Sequence, residues 1–190
     1  MPFRRSRTDK TYDESSLYEY AVGALSRKMR TVAELKRLMR ERVRKQANGV
    51  ELIEAVVERL KQQKYLNDTQ YATSYTQFRQ ENEKFGRFRV AQDLKAKGVH
   101  KEVIEKTVGP AYSNVDEEKL AREFLERKRL KKPKDQKEAA RVFRMMVRAG
   151  YGSRTIVNIL RVWDVEEETL THLEQEREEA ETSHTEDGNE

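Results

Sequence analysis

One pattern is written twice in this chain, 52 residues apart. Leu94-Lys95-Ala96-Lys97-Gly98-Val99, followed by Ile104 and Val108, aligns with Met146-Val147-Arg148-Ala149-Gly150-Tyr151, followed by Ile156 and Leu160. Each copy reads as a helix ending on glycine, a short turn and a second amphipathic helix. A weaker third copy runs from Leu35 to Leu60. A period of this size marks tandem helical units, each too thin to bury its apolar face alone, so that neighbours stack. The expected fold class is all-α: three tandem three-helix units in an elongated, curved, solenoid-like array. Proteins built this way present a long surface to a long partner and seldom enclose a catalytic pocket.

The apolar spacing divides the chain into a flexible basic arm (1–14), three helical units (15–64, 65–112 and 113–163) and an acidic tail (164–190). In the first unit Leu17, Tyr20, Ala21, Ala24 and Leu25 recur at helical spacing. Thr31 and Glu34 then have capping-box spacing ahead of a helix that buries Val32, Leu35, Leu38, Met39 and Val43. Gln46-Ala47-Asn48-Gly49 breaks that helix, and Ile53, Val56, Val57 and Leu60 build the third. In the second unit Asp68 is the expected N-cap, with Tyr71, Ala72, Tyr75 and Phe78 as the apolar stripe behind it. Gly86 opens the next helix, and Gly98 ends it in a left-handed conformation. Val103, Ile104, Thr107 and Val108 face inward from the last helix of this unit. In the third unit Leu120, Ala121, Phe124 and Leu125 form one stripe. Asp135 and Glu138 repeat the capping-box spacing before Ala139, Phe143, Met146 and Val147, and Ser153 caps a helix carrying Ile156, Ile159, Leu160 and Trp163. The tail reads as helix to about Glu181 and as disordered over Thr182 to Glu190.

Hydrophobic residues make up 36% of the chain and charged residues 38%, which suits thin units with much surface rather than a thick core. Cysteine is absent, so disulfides and thiolate metal sites are excluded and a reducing cytosol is the expected location. No apolar run approaches the ~18 residues of a membrane span. The basic N-terminus has no apolar segment behind it and does not read as a secretory signal. The net charge of +5 conceals an asymmetry: Asp164 to Glu190 holds twelve acidic residues against Arg177 alone, or −11, leaving the first 163 residues at +16. A body this basic attracts polyanions, nucleic acid above all. Beside it the tail has two readings, a DNA mimic folding back on the body or a solubility device. The first would make deletion of Asp164 to Glu190 tighten DNA binding at low salt.

Catalysis has little support. His100, His172 and His184 fall in no paired ligand spacing, no phosphate-binding Gly-rich loop is present, and no nucleophile has a plausible base. Neither a cofactor nor a metal is expected. The basic constellations are richer. Arg27, Lys28 and Arg30 precede the first capping box; Lys36, Arg37, Arg40, Arg42, Arg44 and Lys45 follow on the next helix. Arg87 and Arg89 flank Phe88, with Lys95, Lys97 and Lys101 further on. The densest run is Arg127 to Lys134. Arginine can bridge phosphates bidentately, whereas lysine acts as a mobile point charge; a lysine-rich linker is a solvated loop more often than a contact. Among the aromatics, Tyr71, Tyr75 and Phe78 read as core, while Phe85 and Phe88 beside Gly86 read as the better partner contacts.

Tyr65-Leu66-Asn67-Asp68-Thr69-Gln70-Tyr71-Ala72 and Gly86-Arg87-Phe88-Arg89-Val90-Ala91-Gln92-Asp93-Leu94-Lys95-Ala96-Lys97-Gly98-Val99 together resemble the central signature of the RecX family of bacterial recombinase regulators. Ala24-Leu25-Ser26-Arg27-Lys28 with Thr31-Val32-Ala33-Glu34-Leu35, and Arg148-Ala149-Gly150-Tyr151, resemble its first and third units. The likeness covers Leu17 to Trp163, outside which lie the arm and the acidic tail. It implies tandem three-helix units, no enzymatic activity, and binding as a monomer along the groove of the RecA recombinase filament. Strand exchange, ATP hydrolysis and coprotease function would thereby be inhibited, affecting recombination, DNA repair and the SOS response. Single- and double-stranded DNA would be bound more weakly or through the filament, and no membrane is involved. The contact residues expected are Arg27, Lys28, Arg30, Lys36, Arg37, Arg40, Arg87, Arg89, Lys95 and Lys97. The alternative is a stand-alone basic nucleic-acid-binding helical module.

Overall fold

The computed structural model describes residues 11–186, with side chains through Ala180. It is all-helical, with ten helices and no strand among the described residues: α1 (Glu14–Arg27), α2 (Val32–Val43), α3 (Gly49–Gln62), α4 (Asp68–Glu81), α5 (Arg87–Ala96), α6 (Lys101–Tyr112), α7 (Glu117–Arg127), α8 (Gln136–Arg148), α9 (Ser153–Val162) and α10 (Glu167–Glu186). None of the described helices is long and apolar enough to cross a membrane. Two compact units emerge: the described residues up to Ser74 with Leu94–Ile104, and Tyr75–Asp93 with the described residues from Glu105 onward.

In the first unit Leu17, Ala21 and Ala24 of α1 pack with Leu35, Met39 and Val43 of α2 and with Ile53, Val56, Val57 and Leu60 of α3. Within the stretch read as a flexible arm, Tyr12 already exchanges two hydrogen bonds with the Gln46 amide, at 2.8 and 2.7 Å; residues 1–10 lie outside the described ones. In the second unit Leu120 and Phe124 of α7, Phe143 and Met146 of α8, and Ile156 and Leu160 of α9 share a core with Tyr151, Leu170 and Leu173. The last two belong to α10, so the acidic tail begins as a packed helix. That helix runs to Glu186, beyond the expected end near Glu181. Of the stretch expected to be disordered, Thr182 to Glu186 is helical and 187–190 lies outside the described residues.

Helix starts follow the sequence in part. The Thr31 hydroxyl accepts from the Glu34 N–H at 3.1 Å, and the Glu34 carboxylate accepts from the Thr31 N–H at 3.3 Å, a complete capping box. Two expected caps are reassigned. Asn67, not Asp68, caps α4, its side chain accepting from the Gln70 N–H at 3.0 Å. Asp68 instead accepts from the Val32 N–H at 2.8 Å and so serves the start of α2. Ser153 does not cap α9: Glu117 takes the Gly152 N–H at 3.3 Å and the Thr155 hydroxyl at 2.7 Å, and the Ser153 hydroxyl accepts from Arg177 at 2.7 Å. In both cases a carboxylate at the head of one helix neutralises the orphan N–H groups of another.

The two repeated glycines are the joints. Gly98 (φ 77°) and Gly150 (φ 89°) close α5 and α8 in the left-handed conformation. Each sits in a Schellman motif, with Val99 N–H bonded to Leu94 O at 3.1 Å and Tyr151 N–H to Met146 O at 3.2 Å. Each also lies against the start of an earlier helix. Within the first unit the Thr31 hydroxyl donates to the Lys97 carbonyl at 2.7 Å, and a Cβ on Gly98 would stand 2.4 Å from Ala33 Cβ. Within the second, the Gly86 N–H donates to the Ala149 carbonyl at 2.9 Å, and a Cβ on Gly150 would stand 2.2 Å from the Arg89 nitrogen. A Cβ on Gly86 would meet the Gly150 oxygen at 2.1 Å, so Gly86 is required by contact as well as by its place at a helix start.

Gly150→Ala is expected to destabilise by more than about 2 kcal/mol, since left-handed strain alone costs roughly 1–2 kcal/mol and the clash is with backbone. Gly23→Ala, inside α1 with nothing within 4 Å, should stabilise by about 0.5–1 kcal/mol. Denaturant midpoints of the two variants check both signs. Leu170, fully buried, should cost about 2–5 kcal/mol when cut to alanine; truncation before Asp164 should therefore lower the thermal midpoint whatever it does to binding.

Burial pushes the Asp68 carboxyl above its ordinary 3.8, with the Val32 hydrogen bond pulling the other way. A carboxyl raised on folding contributes most below its unfolded value, and the contribution fades as pH rises through the folded one. Asp68→Asn keeps an oxygen acceptor and removes the buried charge. Urea melts at neutral pH should show it more stable than the parent, with the gain disappearing at acid pH.

Candidate functional site

The basic residues fall into those the fold uses and those it leaves to solvent. In the first unit Arg27 and Lys28, at the end of α1, are exposed and make no ion pair among the described residues. Arg30 turns back, its Nε donating to the Ala24 carbonyl at 3.4 Å, and so tends the C-terminus of α1. Lys36 is held by Glu54, its Nζ 2.6 Å from one carboxylate oxygen. Arg37 and Arg40 lie exposed on the outer face of α2, without a carboxylate partner among the described residues. Lys95 is exposed, whereas Lys97 lies 3.3 Å from Glu34. Burial works against the Lys97 charge, but the Glu34 hydrogen bond and nearby Tyr71 outweigh it, and the ammonium ends above its ordinary value. The Thr31–Lys97 bond brings the 27–31 segment beside the end of α5, which draws Arg27, Lys28 and Lys97 into one region of this unit.

In the second unit Arg87 is exposed and rests its guanidinium 4.7 Å from the Phe88 ring centroid. Arg89 is a clamp. Its Nε lies 3.0 Å from Asp93, a charge contact without hydrogen-bond alignment, and its Nη1 donates to the Arg148 carbonyl at 3.4 Å. Asp93 also accepts from the Tyr75 hydroxyl at 2.9 Å and lies 3.3 Å from Arg79, whose Nε donates to the Tyr75 oxygen at 2.8 Å. Burial raises the Tyr75 hydroxyl above its ordinary value, with the Arg79 hydrogen bond opposing. Two aromatic expectations change. Phe78, read as core, is 54% exposed, because α4 turns Tyr71, Ala72 and Thr76 inward. Phe85, read as a partner contact, packs 6.2 Å from Phe124 and has its carbonyl bound by the Tyr112 hydroxyl at 2.7 Å. Phe88 is 45% exposed and stays available to a partner.

The densest cationic run proves to be partly spent. Arg127 faces Glu83 at 3.5 Å, Lys128 sits 5.8 Å from the Phe124 ring, and Lys132 meets Asp164 at 2.5 Å. A less dense set does not stand out along the chain. Lys137, Arg141, Arg144 and Arg148 follow one another at spacings of four, three and four along the outer face of α8, all exposed. Helical periodicity, rather than local density, is the signal that would have found them. Among the described residues no group of three or more His, Asp or Glu side chains is arranged to hold a metal ion.

Comparison with known proteins agrees with this architecture. Residues 67–108, spanning α4 to most of α6, match the family model described as RecX, second three-helix domain. The chain is 30% identical over 163 residues to a protein of Deinococcus radiodurans named regulatory protein RecX, covering 83% of this chain and 74% of that one. A protein of the same name from Trichlorobacter lovleyi is 28% identical over 145 residues, covering 75% of this chain and 92% of the relative. Among solved structures, RecX from Lactobacillus salivarius superposes with a TM-score of 0.61 at 19% identity, over 80% of this chain and 96% of the other. A second crystal structure of regulatory protein RecX gives a TM-score of 0.62 at 18% identity, over 78% and 71%. With helices, repeat and sequence in agreement, the chain belongs to the RecX family of regulatory proteins.

Proposed function

We propose that this protein binds the RecA recombinase filament in the cytosol and modulates it, mainly by inhibiting strand exchange, ATP hydrolysis and coprotease activity. Membership of a family of regulatory proteins carries this reading. The distribution of free charge supports it. Arg27, Lys28, Arg37, Arg40, Arg87 and Lys95 are exposed cations in no ion pair among the described residues, and they are the contact set proposed here. Arg30, Lys36, Arg89 and Lys97 hold their own helices in place and would act through that positioning. Regulation of this kind needs no reacting group. A surface that occupies the filament groove excludes the second DNA strand and opposes the cycling of the filament, and long-range charge speeds its arrival.

The test is recombinase ATPase on single-stranded DNA, titrated with this protein while its own DNA binding is followed in parallel. Inhibition is expected well below the concentration that saturates the DNA, and charge reversal at Arg27, Lys28, Arg37 and Arg40 should raise the half-inhibitory concentration about tenfold or more, the loss of roughly 1.4 kcal/mol or more. Unchanged ATPase at stoichiometric protein would sink the reading. Inhibition that merely tracks coating of free DNA would select the stand-alone nucleic-acid-binding module instead.

A further inference from the structure

We infer that the outer face of α8 is a nucleic-acid-binding site in its own right, taking the phosphodiester backbone along Lys137, Arg141, Arg144 and Arg148 without help from a recombinase. The four residues occupy one stripe of a single helix whose opposite face, Ala139, Val142, Phe143 and Met146, is buried in the core of the second unit. At 1.5 Å per residue the stripe is about 16 Å long. One strand of duplex DNA presents a phosphate every ~3.4 Å of axis, so about five phosphates run beside it.

The charges are uncompensated. No carboxylate among the described residues pairs with any of the four. The single acid of α8, Glu138, is occupied at the helix start, where it accepts from the Lys134 N–H at 2.9 Å. Like charges three and four apart on a helix repel, at roughly 0.2–0.5 kcal/mol per pair. The fold gains nothing from them in return, because burial of the other face is what holds α8 in place. Neighbouring α7 shows the ordinary solution: it mixes signs and pairs Arg122 with Glu118 at 2.8 Å. The acidic helix α10 is the obvious internal occupant, yet none of its described carboxylates fills the role. Across a groove of about 280 Å³ lined by Phe143, Val147 and Leu173, Glu176 faces the side of α8 that carries Arg144 and Arg148. Glu176 is instead placed 3.4 Å from His172 of its own helix. At its C-terminal end the stripe meets the start of α5, where the Arg89 guanidinium reaches the Arg148 carbonyl and the exposed Arg87–Phe88 pair follows. Among the described residues a polyanion therefore meets an exposed row of cations whose end adjoins a solvent-facing aromatic ring.

The experiment uses the full chain, with no recombinase present. Fluorescence anisotropy with a labelled single strand and a labelled duplex compares the parent, a Lys137→Gln, Arg141→Gln, Arg144→Gln, Arg148→Gln variant, and a charge-matched control changing Lys61, Lys64, Lys106 and Lys119 to Gln. The α8 variant should lose about tenfold or more in affinity on at least one of the two probes. Its slope of log K against log salt on duplex should fall by about 3 to 4, as expected for four phosphate contacts. The control should lose much less. Parent-like binding by the α8 variant, or a loss equal to the control's, overturns the site. If the quadruple variant folds poorly, Arg141→Gln and Arg144→Gln singly carry the test, each lowering that slope by about 1. Because filament inhibition is not read in this assay, failure here leaves the recombinase reading untouched.

Discussion

A carbonyl oxygen with nothing but hydrogen on the next α-carbon is the contact on which the repeats depend. At Lys97-Gly98 and again at Ala149-Gly150 a helix ends by turning left-handed, and the carbonyl before the glycine accepts from the start of an earlier helix. Helix ends carry carbonyls without intrahelical partners, and helix starts carry unpartnered N–H groups. At the Gly86 joint setting one against the other satisfies both at once, provided that no side chain stands between them; at the Thr31 joint a hydroxyl serves the carbonyl instead. The two joints solve the spacing differently. Thr31 reaches Lys97 with its hydroxyl, which leaves room for Ala33 beside Gly98. Gly86 uses its own N–H, so backbone meets backbone and glycine is needed on both sides. Where no such partner presses on the helix end, the same left-handed turn is made with a side chain present: Lys64, Arg129 and Asp164 all have φ between 53 and 60° and lie exposed.

What could be read in advance follows from the range of the interactions. Periodic apolar residues report on a helix's own buried face, and the C′ glycines and the Thr31 box report on a single turn; these local features were all visible. Asp68 and Glu117 were not, because a carboxylate at the head of a helix looks in sequence like that helix's own cap, whereas here it serves another. The tail misled for a different reason. Its charge describes the solvent face of α10, and the pair Leu170 and Leu173, three residues apart, is enough to bury the other. A charge count averages over faces, and a helix does not. Phe78 and Phe85 exchange roles for different reasons: Phe78 falls just outside the buried stripe of α4, and Phe85 lies in the connection between α4 and α5, where no helical period reports its packing against Phe124.

The candidate surface obeys the same logic. Density along the chain pointed to Arg127 to Lys134, yet part of that run is drawn into pairs with Glu83 and Asp164 and a ring contact with Phe124. Spacing along a helix axis decides which cations remain free. Among the described residues no acid pairs with the stripe on α8: Glu138 is turned to a backbone N–H and Glu176 lies beside His172.

This division governs how substitutions on the surface are to be interpreted. Removing the Lys97 charge leaves Glu34 without its ionic partner at the start of α2, next to the Thr31 joint, so any loss of binding would be mixed with a loss of order in the first unit. Removing Arg89 would likewise take one of two cations from Asp93, which also holds Tyr75, and would remove the contact with the Arg148 carbonyl. Arg37, Arg40, Arg141 and Arg144 have no such obligations among the described residues. A change in partner affinity at these four therefore reports on the partner, and together they separate what the α2 face recognises from what the α8 face recognises.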